Sequence, residues 1–127
     1  MQELNRYEYA VLRYVPRVER EEFINVGLAM MCKRRRWIKV AILLPEEKLC
    51  VMCPDADKEA LGRQLQAFVD IAEGRRGAGP VAQYPVEERF RWISAVKSSV
   101  IQTSRPHPGL CCDLDETFSR LFAELVE

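Results

Sequence analysis

Apolar residues recur with two different periods along this chain, and each change of period marks an element. Tyr7 to Val15, YEYAVLRYV, is dense in aromatic and β-branched residues and stops at Pro16, which predicts a first strand. Val26 to Cys32 and Trp37 to Leu44 are two further apolar runs, separated by the basic Lys33-Arg34-Arg35-Arg36. They predict adjacent antiparallel strands joined by a charged turn, placed at the centre of the sheet. From Asp55 to Glu73 the period lengthens. Leu61, Leu65, Phe68 and Ala72 fall on one helical face, with Asp55 or Asp57 available as a cap and Gly74 as a stop. Gly74 to Pro80, GRRGAGP, reads as a loop too short to separate two domains.

Pro85 suits a first helical position and Glu87 and Glu88 suit a first turn, predicting a short helix from Pro85 to Val96 with Phe90 and Ile93 facing inward. Ser99 to Thr103 alternates as a short strand and leads into a Pro-His-Pro loop. In the last segment Asp113 and Glu116 have capping-box spacing, and Phe118, Leu121, Phe122 and Leu125 repeat at helical spacing. The order βββ-α-α-β-α predicts an α+β fold, a mainly antiparallel sheet of about four strands packed against two or three helices. The length fits a single compact domain over residues 1–127.

Composition agrees: 48% of residues are apolar and 30% charged, a balance that favours a folded core. Nineteen basic and nineteen acidic residues cancel, so a nucleic-acid or anionic-membrane contact would need a local patch. The start, MQELNRYEYAVL, has no basic leader before an apolar core, and no apolar run has the length of a membrane span. A cytoplasmic location and no membrane partner are therefore expected. The five cysteines are an odd number, read without an export signal as reduced, buried thiols rather than as a disulfide framework.

Candidate chemistry gathers in three places. The stretch SRPHPGLCC holds the single histidine, His107, a candidate general acid or base because imidazole titrates near neutrality. The bland alternative is a loop histidine that fixes a turn. Ser98, Ser99, Ser104 and Cys111 lie nearby as nucleophile candidates, and spacing does not choose among them. In RVEREEFINVG, Arg20, Glu22 and Asn25 could form an anion-binding or metal-assisted site, with Gly27 permitting close backbone approach. The alternative is a salt-bridged loop in which Asn25 fixes a turn. Lys33 to Arg36 beside Trp37 would suit a small nucleic-acid contact, which the zero net charge disfavours. Cys50 and Cys53 with Cys111 and Cys112 offer four thiols for zinc, but adjacent cysteines point apart, so neither a metal nor a cofactor is expected. A redox role for Cys50 and Cys53 is disfavoured because Pro54 and Asp55 stand where a helix N-terminus would begin.

Two blocks, YEYAVLRYVPRVEREEFINVG and ERFRWISAVKSSVIQTSRPHPGLC, together resemble the bacterial domain of unknown function 3037 family, and the likeness runs over nearly the whole chain. The resemblance maps onto Tyr9, Arg13, Tyr14, Pro16, Arg20, Glu22, Phe23, Asn25 and Gly27 in the first block. In the second it maps onto Arg89, Phe90, Trp92, Ser98, Gln102, Ser104, His107 and Gly109. Lys97 stands where similar sequences carry arginine, keeping the charge but losing the bidentate fork. Cys111 fits the pattern better than the other three thiols considered for zinc. The resemblance implies a protein partner, a kinase-like protein of the persistence-toxin type, and leaves the activity and oligomeric state open.

The resulting expectation is a binding or regulatory module whose cleft joins the two blocks through Arg20, Asn25, Lys97, Ser98, Gln102, Ser104 and His107. It would take a protein partner or a phosphate-bearing ligand. One rival is a small hydrolase or nuclease-like enzyme with His107 as acid or base, Arg20 and Lys97 on an anion, and Glu22 positioning water or metal. The other is a structural domain without a ligand cleft, in which the polar residues tie loops to the sheet. The shared cleft requires the second block's strand to lie beside the strand predicted at Tyr7 to Val15 or the one at Val26 to Cys32.

Overall fold

The computed structural model describes residues 3–95 and 100–127. In chain order its elements are β1 (Asn5–Tyr14), β2 (Ile24–Cys32), β3 (Trp37–Ile42), α1 (Glu46–Met52), α2 (Lys58–Glu73), α3 (Val86–Ala95), β4 (Ile101–Thr103), β5 (His107–Cys111) and α4 (Leu114–Leu125). Short 3₁₀ turns occupy Val18–Arg20 and Pro80–Gln83. It is an α+β domain built on one antiparallel sheet of five strands with four helices.

The strand order is β3-β2-β1-β4, and β5 also pairs with β1. The centre is therefore β2 and β1, and the expectation of a β2–β3 hairpin centre is corrected: β3 is an edge. β1 is long enough to pair twice along its second edge, with β4 through Leu12–Tyr14 and with β5 through Asn5–Tyr9. Both partners come from the second block, which accordingly lies beside β1.

Local chemistry explains the helix ends. The Asp57 carboxylate accepts a bond from the Ala60 amide at 3.0 Å, and Gly74 closes α2 in the left-handed conformation at φ 70. The Asp113 carboxylate caps α4 in the same way, accepting from the Glu116 amide at 3.1 Å. The short helix α1 was not expected. Bounded by Pro45 and Pro54, it buries only Leu49, too little for a periodic signal. The ends expected at Val96 for α3 and at Ser99 for β4 lie outside the described residues.

Helices cover both faces of the sheet. On one, Ala10, Leu12 and Tyr14 of β1 meet Leu49 of α1, Leu61, Leu65 and Phe68 of α2, and Phe90 and Ile93 of α3. On the other, Tyr7 and Val11 join Leu28, Met30 and Cys32 against Leu114, Phe118 and Leu121 of α4. Val26 is an extra residue in β2: Leu12 pairs with Gly27 while Arg13 pairs with Asn25. Gly27 fits this bulge because a Cβ there would lie 2.9 Å from both the Ala41 carbonyl oxygen and Leu12 Cδ1. The close approach it permits is thus to β3 and the core.

Candidate functional site

The sheet register brings the two polar blocks together along β1. Tyr7 faces Gly109, Tyr9 faces His107, and Arg13 lies between Asn25 on β2 and Gln102 on β4. Side chains alternate along a strand, so Tyr9 and Arg13 share with Val11 the face covered by α4. His107 therefore belongs to an edge strand and not to the expected loop. Its exposed ring packs on Tyr9, with centroids 5.2 Å apart. Pro106 and Pro108 permit this because an edge strand pairs on one side only.

Several residues of the two blocks make hydrogen bonds that hold the fold. Between β4 and β5 the strand is interrupted, and Ser104 carries the ladder across the gap: its amide donates to the Val11 carbonyl at 2.9 Å and its hydroxyl accepts from the Val11 amide at 2.8 Å. Ser104 is buried, so Ser104→Ala would leave the Val11 amide unpaired, and a loss of about 1–3 kcal/mol is expected in urea unfolding. Asn25 lies within β2 and not in a turn; its amide donates to the Leu125 carbonyl at 2.8 Å, tying down the end of α4. Arg89 does the same for α2, donating to the Ala72 carbonyl at 2.9 Å and also to the Tyr84 carbonyl.

Arg13 is different. Its guanidinium carbon sits 4.1 Å from the centre of the exposed Phe23 ring, and its buried Nε has no hydrogen-bond partner among the described residues. It lines a cavity of about 390 Å³ with Val15, Glu21, Phe23, Gln102 and Thr103. Glu21 reaches this position from a left-handed backbone at φ 55, uncommon for a residue with a side chain. The buried Asn25 Oδ1, on the strand opposite, also has no hydrogen-bond partner among the described residues. Arg13 was not among the expected ligand residues. A cation inside the apolar run VLRYV was the available signal.

Arg20 and Glu22 sit elsewhere. They pair with each other at 2.6 Å, both well exposed, and line a separate cavity of about 470 Å³ with Arg17, Met52, Cys53 and Asp55. Tyr14 reaches Cys53 from below, hydroxyl to sulfur 3.7 Å. Burial pushes the Tyr14 phenol above its ordinary range, and the bond with Cys53 adds to that. Lys97 and Ser98 lie outside the described residues. Gln102 is thus the expected ligand residue that joins Arg13 at one cavity.

All five cysteines are free, but only Cys32 is buried, which corrects the expectation of buried thiols; Cys50 and Cys112 are exposed because α1 and the β5–α4 junction are surface elements. Trp37 at the basic hairpin is no free stacking platform: it is half-buried and edge-on to Phe118 of α4. Arg34 meets Glu3 at 2.9 Å and Arg35 donates to Asn5. Among the described residues no group of three or more His, Cys, Asp or Glu is placed to hold a metal ion. Among the same residues, no helix is long and apolar enough to cross a membrane.

The class is thus an α+β domain with helices on both faces of one antiparallel sheet and two polar blocks zipped along β1. The chain belongs to the family described as protein of unknown function (DUF3037), whose model matches residues 9–126. No curated protein and no solved structure matches the chain significantly.

Proposed function

We propose that this domain is a non-enzymatic binding or regulatory module that recognises an anionic group, a phosphate or carboxylate, at Arg13. The observation that carries this is the guanidinium stacked on Phe23 with its Nε unpaired among the described residues at the 390 Å³ cavity. A buried donor without a partner costs free energy that a bound acceptor would recover, and the planar fork of arginine matches both oxyanions. Gln102, opposite Arg13 in the register, supplies a neutral amide beside it. A protein partner, kinase-like by the resemblance drawn from the sequence, would present the anion as an acidic or phosphorylated side chain. The enzyme reading has less support, because it asks Arg20, Glu22 and His107 to act together while Arg20 and Glu22 pair with each other and His107 packs on Tyr9.

The test is a titration of the ¹⁵N-labelled protein with phosphoserine and with acetate, followed by amide shifts. Arg13, Phe23 and Gln102 are expected to move together, and Arg13→Gln to weaken binding roughly tenfold or more, the worth of a charge-assisted bond. Glu21→Gln removes the like charge beside the anion and is expected to tighten binding roughly two- to fivefold. Shifts centred on Arg20 or His107 instead, or none at any residue, would sink the proposal.

A further inference from the structure

We infer that Cys50 and Cys53 form an oxidisable dithiol that closes into a disulfide on exposure to a peroxide. The two residues are three apart at the end of α1, where the Cys53 amide still donates to the Leu49 carbonyl at 2.8 Å, so the turn between them is helical although Cys53 itself leaves the helix at φ -151 and ψ 75. That spacing puts their Cα atoms about 5 Å apart, inside the range a disulfide spans. Both sulfurs are open to an oxidant. Cys50 is exposed and its sulfur lies 3.7 Å from the Lys58 ammonium nitrogen. Cys53 is half-buried and lines the 470 Å³ cavity, which gives an oxidant access; Arg17 and Arg20 on its wall are matched there by Glu22 and Asp55. Pro54 and Asp55 follow the pair as expected, and because the pair stands at the C-terminal end of α1 no helix N-terminus assists it; what it has instead is the Lys58 ammonium beside Cys50 and the open cavity at Cys53.

The chemistry balances with hydrogen peroxide as oxidant. The Cys50 thiolate attacks one peroxide oxygen and the O–O bond breaks; the departing hydroxide takes a proton and leaves as water, with Cys50 a sulfenic acid. The Cys53 sulfur then attacks the Cys50 sulfur, the S–S bond forms, the S–O bond breaks, and the hydroxide leaves with the Cys53 proton as a second water. Two thiols lose two electrons and two protons, and the peroxide is reduced to two waters. Closure draws Cys53 off the Tyr14 hydroxyl and alters the wall of the Arg20 cavity, a change separate from the Arg13 site.

The full chain treated with hydrogen peroxide is expected to become lighter by two hydrogens and to lose two of its five titratable thiols, both recovered with dithiothreitol. Peptide mapping should place the bond between Cys50 and Cys53. Cys53→Ser should instead accumulate a sulfenic acid at Cys50 that dimedone traps, while Cys50→Ser should keep Cys53 reduced under the same dose; Cys50 is exposed, so that variant folds. A Cys111→Ser, Cys112→Ser double variant should oxidise like the wild type. Oxygen gain without hydrogen loss, a bond involving Cys111 or Cys112, or intermolecular dimers alone would overturn the inference.

Discussion

Phe90→Ala is expected to lower the unfolding free energy by about 3–5 kcal/mol, the cost of emptying a large aromatic site in a packed core. Phe90 is 1% exposed and is the largest of the fully buried side chains, on α3 in the cluster that also holds Leu65 and Phe68 of α2 and Leu12 of β1. With a total stability of about 5–15 kcal/mol for a domain of this kind, the variant should unfold at much lower urea, read by circular dichroism. Trp92 sits two residues on in the same helix and the same sequence block, yet it is 44% exposed and touches Phe68 from outside at 6.4 Å between ring centres. Trp92→Ala should therefore cost distinctly less. Equal costs would mean that α3 does not pack on the sheet through Phe90.

Gly109→Ala is expected to destabilise by about 1–3 kcal/mol, through overpacking. Tyr7 faces Gly109 across β1 and β5, and a Cβ built at Gly109 falls into the end of the Tyr7 ring. The ring cannot swing away freely, because Tyr7 is buried in the α4 cluster. The mechanism predicts coupling. In a Tyr7→Leu background the same Gly109→Ala change should cost much less, with an interaction energy of about 0.5–3 kcal/mol in the double-mutant cycle. Additive costs would place the need for glycine in the backbone rather than under the ring.

Legibility of the sequence followed how local the determining contacts are. α2 and α4 could be read because cap, apolar face and stop lie within each segment, as Asp57 and Gly74 show. The sheet's centre could not, because β1 gains its second set of partners from residues about a hundred positions away, whereas the β2–β3 hairpin advertises itself locally. His107 was assigned to a loop for a related reason: prolines on both sides argue against a strand unless the edge is known to face away from the sheet. At the site, Gln102 could be named from the sequence, but Arg13 was hidden by its neighbours. A single cation in an apolar strand acquires its meaning only when Phe23 folds under it and Gln102 arrives beside it. The structural bonds of Ser104 and Asn25 could not be foreseen, because a polar side chain that completes a ladder or ties down a helix end looks, in sequence, like one that waits for a ligand.

The double pairing of β1 also shapes how the chain is made. Val11 and Ser104, joined in the finished sheet, are 93 residues apart, so a ribosome releases β1, β2 and β3 long before β4 and β5 emerge to cover the other edge of β1. Throughout that interval the growing chain presents an unpaired strand rich in aromatic and β-branched residues, the kind of edge that pairs with whatever strand is nearest. A chain arrested before Ile101 would keep that edge for its lifetime, and its fate would be decided by chaperones and proteases rather than by its own core.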